Sequence, residues 1–591
     1  MEHLDIQSGR VAWLPQKDHF FSMLTVQETL DLAAFLEISD SDEKRYTKVA
    51  HVMDALGLTK LSGRQIGEQE SGLLHNGLSG GEKRRVSLAV ELIASPRVFM
   101  GDEPTTGLDS ALSEKVVKLI KTLVVEREHI PCLLSLHQPR SSIWKMLDSV
   151  ILLAPGGRVC YMGTTDHAME YFARLGFKCP PETNPAEFLL DLVSIDTEDS
   201  PQTASLDEAR IQRLAVAFRE YSDKIGQIPQ KAKQLLRASS AMTRAIEENS
   251  CGISHTAPFT HNTSFSRLLG RFARLLARSW RQNIRNHQVN AVRLFVSAGN
   301  AYFFTNVFPL VKQMHDKKGD VFFTVKSVPD RTALLSFGVI NMAMLTVMKT
   351  IDLFAKEKPV VLREQQRRQY TSLEYLLSKT LAEIPLDAVF SVIFTTVLKS
   401  SCGLRIEWRD LTAVFASMTL CGASLGFAIG ACTSTAEMAL SVGVPLMVLM
   451  LGVGVITPSG VDTGEDVDDI RPSFFVSVLK MISPIAYAIR AVCIAEYQGM
   501  QFRDPEDEIR RGILSPFIAM MRKIKAVFRM GGLALVKSGD EILEELGLGN
   551  DTYRGELINL AVISFLFLVI AWLGLMFQRG SATKSSGKFQ F

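Results

Sequence analysis

The stretch LSGGEKRRVSLAVELIASPRVFMGDEPTTGLDS, Leu78–Ser110, decides how the chain is read. Ser79-Gly80-Gly81 opens a run with apolar residues at Val86, Leu88, Ala89, Leu92 and Ile93, which predicts an amphipathic helix. A glycine-flanked serine at a helix N-terminus presents free backbone N–H groups and the positive end of a dipole, a setting suited to the γ-phosphate of a nucleotide. Val98–Glu103 reads as an apolar strand whose last residues are two carboxylates, Asp102 and Glu103. The first can hold Mg²⁺ and the second can polarise an attacking water. Gly107-Leu108-Asp109-Ser110 predicts a tight turn into the next helix.

Together the string LSGGE…DEPTTGLDS resembles the signature motif, Walker B strand and D-loop of the ATP-binding cassette (ABC) family, which leaves a merely solvated acidic loop as a poor account of Asp102 and Glu103. Gln16 in VAWLPQKD resembles the Q-loop glutamine, and His137 in LLSLHQPR the switch histidine. The five elements occur once each, in family order. The resemblance implies ATP and Mg²⁺ as cofactors, with Asp102 and Gln16 at the metal. It implies Glu103 and His137 in catalysis, and Ser79, Gly80, Gly81, Glu82 and Asp109 around the nucleotide.

At 591 residues the chain is too long for one core. With 47% hydrophobic and 22% charged residues it reads as part soluble, part membrane. A formal charge of +2 gives no support to a nucleic-acid partner. The eight cysteines lack metal-ligand spacing and predict neither a zinc site nor a disulfide framework. The N-terminus lacks a signal-peptide pattern, so insertion would rely on internal spans.

An ATP site needs a glycine-rich GxxxxGK[ST] loop, and no such run occurs in this sequence. The family places it upstream of the Q-loop, so the resemblance implies a nucleotide-binding domain that is N-terminally incomplete as written. Two explanations compete, a start assigned too far downstream or a shortened protein; the intact Glu103, His137 and Leu78–Glu82 favour the first. Residues 25–38 and 43–56 predict helices, and SVILLAPGGRVCYMG predicts a strand, a Gly-Gly turn and a strand that closes the sheet. Tyr171–Pro180 and Asn184–Asp191 resemble the YF-x₃-G-x-x-CP…NPA-D/E-F pattern of the G, or White, subfamily. From Asp196 to about Pro258 the chain turns polar and predicts a linker.

Phe265–His287 carries Phe265, Leu268, Leu269, Phe272, Leu275, Leu276 and Trp280 on one helical face and arginines over the rest. That is a basic amphipathic helix suited to anionic headgroups, with a calmodulin-type target as the alternative. Three spans, 411–433, 438–458 and 557–577, are free of charge. Three more, 289–311 with Arg293, the short 332–348, and 384–402 with Asp387, bring the expected number to six. Basic residues in FAKEKPVVLREQQRRQYTSLEYLLSK and in the tail place both on the cytosolic side, with the N-terminal domain. That charged loop resembles one that contacts the nucleotide-binding domain in the subfamily, and topology-setting charge alone is the other account of it. Residues 474–500 are too polar for a lipid-facing span and resemble short re-entrant helices. Asn550 and Asn262 each begin a glycosylation sequon, the first beside a span and the second on the cytosolic side.

The expected architecture is therefore an α/β nucleotide-binding domain of P-loop NTPase type at 1–195, a linker at 196–264 and a connecting helix at 265–288. An all-α six-helix transmembrane domain at 289–578 and a cytosolic tail at 579–591 follow. The resemblance implies a half-transporter that works as a homo- or heterodimer in a bilayer and exports lipids or other hydrophobic small molecules. The alternative is a non-hydrolytic subunit that lends only its signature motif to a partner. Asn341 with Met344, and Val448 with Leu451, share helical faces on the second and fifth spans and are the candidate substrate path.

Overall fold

A run of apolar residues ended by Pro15, which cannot donate to a ladder, makes Val11–Leu14 the first strand, β1. The computed structural model describes residues 11–67, 77–195, 201–226, 265–308, 311, 314–315, 321–322, 327–454, 474–502 and 538–586. They fall into two units, Met1–Asp18 with Thr25–Asn262, and His19–Leu24 with Thr263–Phe591.

In the first unit, α1 (Val26–Glu37) starts at a capping box in which Thr25 and Glu28 satisfy each other's backbone N–H groups. α2 (Asp42–Ala55) follows, and α3 (Gly80–Ile93) starts at a second capping box, Ser79 with Glu82. β2 (Val98–Gly101) pairs in parallel with β1, Val11 opposite Val98 and Leu14 opposite Gly101. α4 (Ser110–Ile120) continues as a π-helical turn, Lys121–Arg127, and leads to β3 (Cys132–Leu134), parallel on the other side of β2. A Cβ at Gly101 would lie 2.7 Å from the Leu134 side chain, so the strand end needs glycine. Parallel sheets are ordinarily covered on both faces, yet Leu133 is exposed.

After α5 (Ser141–Trp144), β4 (Ser149–Ala154) and β5 (Arg158–Thr164) form the expected hairpin, with Gly156 and Gly157 at positive φ in its turn. The hairpin does not close the parallel sheet; it is a separate two-stranded sheet that pairs with itself. α6 (Thr165–Arg174) and α7 (Pro185–Val193) pack against it. The expected linker is corrected next: Pro201–Gly226 is a helix, α8, and Ile211 and Leu214 are buried among Tyr161, Phe172 and Leu189. Its apolar stripe, Ile211, Leu214, Phe218 and Tyr221, is thinly spread among charges and becomes visible as helical only once those partners are in place.

The second unit is helical. α9 (Phe265–Arg285) is the expected connecting helix, but its faces are used differently from expectation. Phe265, Leu269 and Trp280 are exposed, while Arg278, Ser279, Gln282 and Asn283 are buried. Arg271 pairs with Glu374, and Arg278 pairs with Glu364 and lies over the Phe21 ring. The arginines at these two positions serve the protein interior rather than headgroups.

Among the described residues α10 (His287–Val307) precedes five helices that are long and apolar enough to cross a membrane: α11 (Val328–Gln366), α12 (Ser372–Ser401), α13 (Trp408–Cys432), α14 (Ala436–Gly454) and, after several shorter helices, the last one. By length and composition α10, the expected first span, is not among them. Its Arg293 is buried against Asp387 of α12, so the charges that weakened two expected spans neutralise each other. The charged loop after the second span is corrected as well. Its first half continues α11 to Gln366 and its second half begins α12 at Ser372. Glu357, Lys358 and Lys379 within it are buried.

α15 (Phe474–Ile482) and α16 (Pro484–Tyr497) are two short helices, broken at Ser483, in the stretch expected to form short re-entrant helices. α17 (Gly539–Glu545) follows, and α18 (Tyr553–Ser586) is the last apolar helix, continuing past the expected tail boundary at 579. The sequon at Asn262 lies outside the described residues, and Asn550 is exposed.

Candidate functional site

The C-terminal ends of β1, β2 and β3 bring together Gln16, Asp102, Glu103 and Ser135. The Gln16 Nε2 donates to Glu103 Oε2 at 2.7 Å, and the Thr106 hydroxyl donates to the same oxygen at 2.8 Å. The Ser135 hydroxyl donates to Asp102 Oδ1 at 2.7 Å and accepts from the Glu103 backbone N–H at 2.8 Å. Ser135 thus fixes both acidic residues at once, a role the sequence reading missed. It stands two residues before His137, and the serine alone carries no signal.

Glu103 has φ 41°, and Gln138, next to His137, has φ 46°. Non-glycine residues in the left-handed region are uncommon and gather at functional sites, where surrounding bonds hold the strained backbone. The Thr106 hydroxyl and the Gln16 amide, with a smaller pull from His137, hold the Glu103 carboxyl below the usual carboxylate range. His137 makes no direct hydrogen bond to Glu103 here; it acts on it through charge.

The residue that organises this edge is Arg84, which the sequence reading passed over as one more charge in an amphipathic run. It is buried, and it donates to the carbonyls of Pro15 (2.6 Å), Pro104 (3.1 Å), Glu103 (3.2 Å) and Asp102 (3.3 Å), and to Asp18 Oδ1 (2.9 Å). One guanidinium fork therefore ties the end of β1 to the turn after β2. Asp18 also accepts from Ser87 at 2.6 Å, and Glu91 accepts from the Trp13 backbone N–H. The helix is buried on more sides than its periodicity indicated, and these contacts are the reason.

The start of α3 departs in one respect from expectation. Glu82 takes the Ser79 N–H at 2.8 Å and the Ser79 hydroxyl takes the Glu82 N–H, so two of the N-terminal donors are used within the capping box. Burial acts against the Glu82 carboxylate, but the Ser79 bonds outweigh it and lower its pKa. Ser79 and Gly80 are exposed. Gly81 is buried, and a Cβ there would lie 3.2 Å from Leu112 of α4; its glycine serves packing. Asp109 caps α4, accepting from the N–H groups of Ala111 and Leu112.

For Mg²⁺ the donor set fits. Ser135 occupies only one oxygen of the half-buried Asp102 carboxylate, and the Gln16 amide spends its nitrogen on Glu103, leaving its carbonyl oxygen for a cation.

The four candidate path residues lie in the second unit. Asn341 Oδ1 accepts from Asn300 Nδ2 at 2.6 Å, while its own buried Nδ2 has no partner among the described residues. Val448 is exposed on α14, and Met344 and Leu451 are half-buried.

Among known proteins, residues 2–106 match the ABC transporter family, and residues 271–497 and 137–301 match two families described as ABC-2 type transporter. "ABC transporter G family member 7" of Arabidopsis thaliana is 32% identical over 498 residues, 83% of this chain and 63% of that protein. "Protein white" of Drosophila melanogaster is 29% identical over 451 residues, 76% of this chain and 61% of that protein. The mouse "Broad substrate specificity ATP-binding cassette transporter ABCG2" is 27% identical over 537 residues, 85% of this chain and 73% of that one. The chain thus spans under two thirds of the length of the first two. Among solved structures, cbiO1 of Clostridium perfringens overlaps 28% of the chain at 23% identity with a TM-score of 0.24, too low to bear on architecture.

Proposed function

Because the chain is an integral membrane protein of the G (White) subfamily of ABC transporters, with a cytosolic nucleotide-binding domain ahead of an ABC-2 type membrane domain, we infer that it drives export of lipids or other hydrophobic small molecules by ATP hydrolysis, as one half of a homo- or heterodimer. The observation that carries this reading is the Gln16–Glu103–Thr106 and Asp102–Ser135 pair of contacts at one sheet edge. Mg²⁺ with ATP supplies charge neutralisation at the β- and γ-phosphates. Asp102 and the Gln16 carbonyl are the groups that would hold the ion. The Gln16 amide and the Thr106 hydroxyl, both donating to Glu103 Oε2, hold its carboxylate in the ionised form that orients and deprotonates water. His137 is the neighbouring polar group for the leaving phosphate. Exposed Ser79 and Gly80, with Glu82 and Asp109 behind them, form the surface offered to the nucleotide of a second half-transporter.

In the membrane domain, the outward face of α14 carries Val448 with Val444 and Leu449, all exposed, and is suited to a dimer axis or to lipid. An unpartnered amide is costly in hydrocarbon and ordinarily faces protein or a cavity, which favours Asn341 and Met344 as path-lining residues.

The test is Glu103→Gln in a dimer whose nucleotide-binding domains carry the GxxxxGK[ST] loop, purified into proteoliposomes. Steady-state ATP turnover should be abolished with nucleotide binding retained, whereas unchanged turnover would remove Glu103 from its role. The second reading, a non-hydrolytic subunit lending Ser79–Glu82 to a partner's site, rests on the exposure of that helix start. It predicts turnover that falls when Ser79 is replaced but is indifferent to Glu103.

A further inference from the structure

A cleft between α2 and the π-helical turn Lys121–Arg127 belongs to none of the motifs above. Lys48, His51 and Val52 share one face of α2 at i, i+3 and i+4 and line it, facing Leu123, Arg127 and Ile130. Val52, Leu123 and Ile130 are buried and make an apolar floor, while the rim is basic.

Arg127 Nη2 lies 2.6 Å from His51 Nε2. A guanidinium carries only donors, so the imidazole nitrogen must be the acceptor. The contact exists only while His51 is neutral, with its proton on Nδ1. Neither Lys48 nor Arg127 has a carboxylate at ion-pair distance among the described residues. Glu128 lines the same cleft without pairing to either cation, and Asp54 is the other acid within one turn of His51 on α2. Arg127 is exposed, and the imidazole lone pair is its one protein hydrogen-bond partner among the described residues. Its setting is irregular too: π-helical turns are frequent at functional sites, and Ser95, which lines the cleft, and His129, between the lining residues Glu128 and Ile130, hold φ of 47° and 54°.

We propose that this cleft binds a small anion carrying a short apolar group, its charged head between Lys48, His51 and Arg127 and its apolar part on Val52, Leu123 and Ile130. The enclosed space, about 30 Å³, holds roughly two water-sized volumes and so admits a ring edge or a short chain rather than a bulky body. The anion takes Arg127 off the imidazole, and His51, freed of its donor and set beside a negative charge, takes up a proton. Histidine is the side chain that changes charge between about pH 5 and 8. Binding is therefore linked to uptake of one proton and tightens as pH falls.

The probe is para-fluorobenzenesulfonate, whose own charge is constant over this range, followed by fluorine NMR on the full chain in lipid nanodiscs. Saturable binding should tighten by about tenfold from about pH 8 to about pH 6. His51→Gln, which keeps an acceptor for Arg127 but cannot titrate, should bind with no pH dependence. Arg127→Gln should weaken binding by about tenfold or more, and Arg127→Lys should restore part of it. Saturating MgATP should not displace the probe. Binding of equal strength at both pH values in the unaltered protein overturns the proposal, as does an Arg127→Gln protein that binds like the original or displacement by ATP.

Discussion

Buried cations are handled in two ways in the two units of this protein. In the nucleotide-binding unit Arg84 is served mainly by four backbone carbonyls, with Asp18 as its one carboxylate. In the membrane unit nearly every deeply buried cation has its own acid. Arg293 pairs with Asp387, Lys349 with Glu383, Lys379 with Glu357, and Arg331 with Glu496. The difference follows from what lies beyond the first contact. Near a soluble surface, water stabilises whatever charge the carbonyl dipoles leave over; between apolar helices nothing does, and neutrality must be reached locally. Lys358 is the instructive exception. It has no carboxylate, but donates to the carbonyls of Gly430, Ala431 and Thr433 at the end of α13, where the helix dipole concentrates negative charge.

The contrast can be broken most forcefully at a membrane pair. Asp387→Ala strands Arg293 and should cost about 3–5 kcal/mol, seen as loss of monodisperse protein in detergent and a lower thermal midpoint. Replacing both residues, Arg293→Met with Asp387→Leu, should recover most of that loss; equal damage from the single and double changes would mean the pair's charge balance is not what matters. Next comes Arg84→Met, which leaves several carbonyls unserved and Asp18 with the Ser87 hydroxyl but no cation, and should cost about 3 kcal/mol. Arg84→Lys should recover only part of it, because three donors on a point cannot reproduce the fork. Full rescue by lysine would reduce Arg84 to a charge.

Lys358→Met should be milder, about 1–2 kcal/mol in thermal unfolding, since it strands carbonyls but no charge. A loss as large as that of Asp387→Ala would erase the distinction. Smallest is the Ser79–Glu82 capping box, where Glu82→Ala should cost about 1 kcal/mol. The sign with pH is fixed by the lowered pKa of Glu82. Its contribution is fully present above the ordinary carboxylate value and fades as pH falls through the lower folded one. The difference between native and Glu82→Ala proteins should therefore shrink on acidification, and a difference that grows would contradict the cap.

Much of the candidate site was legible because its chemistry is local in sequence. Ser79 and Glu82, three apart, announce a helix start; Asp102 and Glu103 end an apolar strand; Asp109 precedes α4 by one residue. Gln16 and His137 were legible only through resemblance, since a lone glutamine or histidine has no spacing to read. Arg84, Ser135 and Asp18 were illegible, because their partners stand far away along the chain. The role of α9 was half legible: periodicity gave its two faces, but could not tell that Arg271 and Arg278 would turn inward to Glu374 and Glu364.

By itself the sequence determined the order of the two units, the candidate site motifs, most of the apolar helices and the resemblance to ABC transporters. Each of these depends on residues a few positions apart, through helical or strand periodicity, capping and turn chemistry. Only the tertiary structure decided which buried charges neutralise each other, that α8 belongs to a core, that the hairpin stands apart from the parallel sheet, and that His51 meets Arg127. Arg293 and Asp387 are 94 residues apart and Arg331 and Glu496 are 165 apart. A contact across such a distance depends on the packing of whole helices, and no local pattern of side chains encodes it.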